Sequence, residues 1–156
     1  MRKIWIVVLG ACIGLASSAT ALGEELFSAT GTVIAIVGGD LFVGEAEGHL
    51  SGAGTLNIHS QKDPALTCLG QFTSTAELGG SGQMRCSDGS AAAFHFQRLT
   101  MFCGHGVGNF SRGSMSFAYG LTPEEARPYL KLPEGKKLAH NGTELELVAL
   151  VRSVQQ

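Results

Sequence analysis

TCLGQFTSTAELGGSGQMRC, residues 67–86, carries the marks of one β-hairpin. Met84 and Cys86 alternate with Gln83 and Arg85, the period of two that gives a strand a single apolar face. Cys68 lies on the apolar face of the strand Thr67–Phe72 by the same parity. A turn centred on Glu77 sets Cys68 opposite Cys86, Gly70 opposite Met84 and Phe72 opposite Gly82. The last pair puts an aromatic beside a strand glycine, a common way to cover the gap left by a missing side chain. This register predicts a cross-strand Cys68–Cys86 disulfide, worth about 3 kcal/mol by loop closure. A Cys86–Cys103 bond and three reduced buried thiols are the alternatives.

Gly80-Ser81-Gly82-Gln83-Met84, inside this stretch, has two relatives: Gly52-Ala53-Gly54-Thr55-Leu56 and Gly106-Val107-Gly108-Asn109-Phe110. Short strands recur around them at Thr55–His59, Ala92–Gln97, Leu99–Cys103 and Ser114–Tyr119, with glycine or serine clusters between. Leu56 and Ile58, Phe94 and Phe96, and Met115, Phe117 and Tyr119 each alternate with small or polar residues, as in an antiparallel sheet folded over a core. Upstream, Gly31–Val37 is a continuous apolar strand, broken by the turn signal Gly38-Gly39-Asp40 and answered by Leu41–Ala46. Downstream, Thr122-Pro123-Glu124-Glu125 offers a cap, a first-turn proline and acids at the positive end of a short helix near 123–130. A turn at Asn141-Gly142 then joins two strands of a C-terminal hairpin. The fold expected is all-β, a hairpin meander forming an open barrel or sandwich.

The ends and composition set the compartment. Arg2 and Lys3, the apolar stretch Ile4–Ala16 and the small-residue end Ser17–Ala21 form a secretory signal over residues 1–21, leaving one β domain over 22–156. The apolar stretch is shorter than the ~20 residues that span a bilayer, so no integral span is expected after signal removal. Leu9-Gly10-Ala11-Cys12 resembles a lipobox, which gives an outer-membrane lipoprotein attached through Cys12 as the alternative to a periplasmic or secreted protein. Without Arg2 and Lys3 the chain has 9 basic and 13 acidic residues, a formal charge of −4. Its basic residues are scattered, with no stripe to track phosphates, which argues against nucleic acid as a partner. Glycine is 22 of 156 residues, about twice the usual ~7% share, and suits a turn-rich β protein.

Chemistry-bearing residues are few. Met101, Cys103 and His105 alternate, and a regular strand through them would bring thioether, thiol and imidazole to one side, the soft ligand set of a copper site. Met101 and Cys103 are equally at home in a core. Glu45, Glu47 and His49 share one side of a strand and form a candidate binding rim, or a plain charged edge. Asp88-Gly89 reads as a turn whose aspartate bonds its own backbone. No nucleophile elbow, zinc-protease helix or phosphate loop is present, and no cofactor is called for.

Phe42-x-Gly44, Gly52-x-Gly54, Cys68-x-Gly70, Gly80-x-Gly82 and the later Asp88-Gly89 resemble MORN repeats over residues 42–120. The third copy keeps only its glycines, and cysteine replaces an aromatic at Cys68. The resemblance implies a scaffold or binding role with no catalytic residues to carry over. Together these features predict a non-enzymatic cell-envelope module, structural or partner-binding, acting on an envelope protein or glycan. A periplasmic copper or redox protein using Met101, Cys103 and His105 is the alternative.

Overall fold

The computed structural model describes residues 28–75 and 77–151; the signal-like segment and Cys12 lie outside the described residues. Eight strands follow one another as an antiparallel meander: β1 (Ser28–Val37), β2 (Asp40–His49), β3 (Ala53–Ser60), β4 (Thr67–Thr75), β5 (Gly79–Cys86), β6 (Ala91–Arg98), β7 (Gly104–Phe110) and β8 (Gly113–Tyr119). β8 pairs back onto β1, with Val33 opposite Tyr119 and Val37 opposite Met115. The all-β meander therefore closes into a barrel instead of standing open or folding into a sandwich. Closure removes the two unpaired edges that an open sheet would leave to solvent.

The pairing also sets the barrel's width. Followed round the wall from Arg98 through Tyr119, Val33 and Ile58 to Cys86, the register returns to Ser90 at the foot of the starting strand. That offset, 98 to 90, is eight residues for eight strands, the stagger of a narrow barrel that its own side chains can fill. Bulky rings fit such a space only if their neighbours are small. Gly54, Phe72, Gly82, Phe94, Gly108 and Met115 are successive partners across β3 to β8, so large and small alternate round the interior.

Each ring leans back over the preceding strand. A Cβ on Gly54 would overlap the Phe72 ring, one on Gly82 the Phe94 ring, and one on Gly106 the Phe117 ring. Phe72 is thus opposite Gly82 in register, as expected, but its ring covers Gly54 instead. Two further expectations are corrected here. Leu99–Cys103 is the loop between β6 and β7, not a strand, and Gly106 and Gly108 sit within β7, not at a turn. The inward positions of β7 are Gly104, Gly106, Gly108 and, at its end, Phe110, so most of this strand lacks the alternating apolar residues that mark the others.

A second core lies outside the barrel. Ile34 and Ile36 of β1, Leu41 of β2 and Ala118 of β8 point outward and are covered by Ala126, Leu130, Leu138 and Leu145. Ala126 ends the helix α1 (Pro123–Ala126), Leu130 follows its 3-10 extension Arg127–Tyr129, and Leu138 and Leu145 come from the hairpin β9 (Lys136–Asn141) and β10 (Glu144–Ala149). Burial on both faces explains why β1 reads as a continuous apolar run. Thr122 and Glu125 cap α1 reciprocally, with Thr122 N–H donating to Glu125 Oε2 at 2.9 Å. The C-terminal turn falls one residue later than expected, on Gly142 and Thr143, with glycine at the first central position. Only that residue has the positive φ that the turn needs.

Candidate functional site

The two ends of the barrel differ in kind. At one, the loops 61–66, 87–90 and 111–112 are short and polar. Just inside it the Cys68 and Cys86 sulfurs stand at bonding distance, in the register read from the sequence, and Cys103 is free. Asp88 accepts from Ser90 N–H at 2.9 Å and pairs with Arg112. The Ser90 hydrogen bonds first, and Arg112 after them, hold the Asp88 carboxyl below its ordinary range.

At the other end the interior opens into a cavity of about 630 Å³. One wall is aromatic: Phe72, Phe96 and Tyr119 meet edge to face, with ring centroids 5.5 Å apart for Phe72–Phe96 and 5.9 Å for Phe96–Tyr119. The opposite wall is Ala29, Gly31, Ala46 and Gly48. These small residues of β1 and β2 create the space. A Cβ on Gly48 would meet the Phe72 ring only at 3.9 Å, an ordinary contact, so no ring fills that side. The cavity is the part of the interior where the large-and-small alternation stops.

Arg98, the last residue of β6, stands at the cavity mouth. Its Nη2 donates to Ser74 Oγ at 2.7 Å and its Nη1 to the Met101 carbonyl at 3.4 Å. Its Nε is buried and has no partner among the described residues, and the same holds for His49 Nδ1 at the same mouth. Among the described residues the only ion pair is Arg112–Asp88 at the far end, and Arg98 pairs with no carboxylate of these residues. Tyr119 lines the cavity with its phenol pKa pushed up by burial, against the pull of the Arg98 charge. The phenol therefore stays protonated, as a neutral hydrogen-bonding group.

The rim around this mouth is apolar. Leu50, Leu78, Leu99, Met101 and Phe102 come from three different loops at this end, and Met101 and Phe102 are 72% and 65% exposed. A shallow trough on the outer wall, between Asn57, Gln71, Gln83 and Ala93, has no buried unpartnered polar atom.

The residues singled out by the sequence are dispersed. Met101 is on the rim, Cys103 Sγ lies 3.1 Å from Thr100 Oγ1, and His105 stacks on Tyr129 at 4.0 Å between ring centroids. The strand that was to align the three is absent, and His105 makes its contact with the outer layer. No group of three His, Cys, Asp or Glu side chains is placed to hold a metal among the described residues. Glu45 and Glu47 share the outward side of β2, opposite in parity to the inward Phe42 and Ala46, while His49 lines the cavity.

Arg98 was missed, although its signal was there. It continues the inward parity Phe94-x-Phe96-x-Arg98, which puts a cation on the apolar face. No family model, curated protein or solved structure matches the chain. What the site can do therefore rests on its own groups: aromatic rings, one guanidinium, one phenol and one imidazole around an open space.

Proposed function

We propose that this protein is an exported, non-enzymatic binding module of the cell envelope that holds a small apolar molecule in the barrel mouth. The observation that carries the reading is the cavity of about 630 Å³, within the size range of small-molecule sites, in a barrel narrow enough to be filled throughout. Filling it removes the Phe72, Phe96 and Tyr119 faces from water, and each ligand methylene buried contributes about 0.8 kcal/mol. Export is supported by the signal-like N-terminus and by the cysteine pair, which an oxidising compartment permits. No helix among the described residues is long and apolar enough to cross a membrane. The outward positions of β3 to β6 are mostly polar, with Thr55, Asn57, Gln71, Gln83 and His95 among them, unlike the apolar band of a lipid-spanning barrel. The β2 face bearing Glu45 and Glu47 is the surface this reading gives to a protein or glycan partner.

The test is titration with the neutral dye N-phenyl-1-naphthylamine, whose fluorescence rises in an apolar site. Wild-type protein is expected to bind it saturably, and Ala46→Phe, which fills the cavity from the β2 wall, is expected to lose at least tenfold in affinity. Equal binding by a folded Ala46→Phe variant places the dye elsewhere and sinks the reading.

A further inference from the structure

We infer that the cavity's ligand is an amphipathic carboxylate, its apolar body against the aromatic wall and its carboxylate on Arg98. This rests on the binding role proposed above and adds the chemistry of the head group. A guanidinium is always charged, and a cation partly withdrawn from water is costly unless it is paired. Here the expected partner is missing: among the described residues no Asp or Glu forms an ion pair with Arg98. Its contacts among the described residues are a hydroxyl and a carbonyl, both neutral, and none of those residues accepts from its buried Nε–H. The Ser74 hydrogen bond at 2.7 Å fixes the plane of the group while leaving the Nε edge open.

That edge is half of the fork that meets a carboxylate with two parallel hydrogen bonds. The mouth offers two more polar atoms for the same head group, His49 Nδ1, buried and without a partner, and the protonated Tyr119 hydroxyl. One cation matches one negative charge, which favours a carboxylate over a doubly charged phosphate monoester. Below Arg98 the walls are Phe72, Phe96, Phe117 and the small residues of β1 and β2, surfaces that suit an acyl chain or a fused-ring skeleton. The exposed Leu50, Met101 and Phe102 line the path by which such a tail enters.

The experiment displaces N-phenyl-1-naphthylamine with decanoate and with decanol near neutral pH, where decanoate is ionised. The two probes share a chain and differ in charge. Wild-type protein is expected to release the dye at about ten- to a hundredfold lower decanoate than decanol concentration, as a charge-assisted pair requires. Arg98→Gln, which keeps the side-chain length and a donor, is expected to erase that preference while still binding the dye. Equal potency of acid and alcohol on the wild-type protein overturns the assignment without any variant. A preference that survives in Arg98→Gln overturns it as well. If the dye binds and Ala46→Phe blocks it but the acid gains nothing over the alcohol, the cavity reading stands and only the head group falls. If neither the dye nor either alkyl probe binds, both readings fail.

Discussion

At its polar end the barrel is tied by Cys68 and Cys86 and closed by the Asp88 turn, which Arg112 bridges; at the other end it gapes, lipped by Leu50, Met101 and Phe102 around Arg98, whose hydrogen bonds among the described residues go to neutral groups. Both ends belong to one hydrogen-bonded wall. The difference lies in what their inward positions carry. On β3, β5 and β7 glycines lie beneath aromatic rings of the next strand, whereas on β1 and β2, at the open end, glycine and alanine line the interior with no ring over them and space remains. Glycine thus does two jobs in this molecule, making room for a ring of the protein in one place and leaving room for another molecule in the other. The disulfide tie and the cavity are housed at opposite ends and should respond separately to substitution.

The strongest way to break that comparison is at the tie. Cys68→Ser with Cys86→Ser removes a cross-link between residues 18 apart in sequence, worth about 3 kcal/mol by loop closure. For a domain of this size the loss should lower the melting temperature by about 10 °C, measured by circular dichroism. Dye affinity at 20 °C, well below the transition, should stay within twofold. A parallel loss of affinity would show the two ends to be coupled.

The two uses of glycine can be separated at one paired position. Gly48 and Gly54 are direct partners across β2 and β3. Gly54→Ala drives its methyl into the Phe72 ring and the Glu47 carbonyl, an overpacking cost of about 1–3 kcal/mol. Gly48→Ala meets nothing closer than 3.9 Å, so its stability should stay within about 1 kcal/mol of wild type, or rise as the unfolded chain loses freedom. Chemical denaturation of the two variants decides it, and equal destabilisation would erase the distinction.

The smallest effect is the pH response of the polar end. The Asp88 carboxyl is held below its ordinary value by Ser90 and then Arg112. Its ionised form is therefore favoured in the fold. That contribution is complete above the ordinary carboxylate range and is lost as pH falls through the lowered value. Asp88→Asn should slightly lower stability at neutral pH and flatten the fall in melting temperature below pH 4, with dye binding unchanged. An unaltered acid limb would remove Asp88 from the account.

The hairpin around Cys68 and Cys86 was legible because its turn, its alternation and its cysteines all specify one register. The capped helix at Thr122 and the turn at Gly38-Gly39 were legible for the same reason, since each is decided within a few residues. β7 was not. Its first three inward residues are glycines whose space is taken by Phe117 and Tyr119 of β8 and by Phe94 of β6, and only Phe110 at its end is apolar, so its buried face carries no alternating signal of its own. The alternation Met101, Cys103, His105 belongs partly to a loop, and the copper set it suggested lost its alignment with the strand.

The sequence by itself determined the all-β class, the hairpin at Gly38-Gly39 and the register that sets Cys68 opposite Cys86, because neighbouring strands read one another through short turns. Tertiary structure alone decided that β8 closes on β1, that helix and hairpin cover one outer face, and that an opening is left where β1 and β2 face Phe72, Phe96 and Tyr119. Those outcomes depend on the stagger of eight strands taken together. No local pattern records which inward side chains will meet after a full turn of the barrel, or that Arg98 will stand at its open mouth.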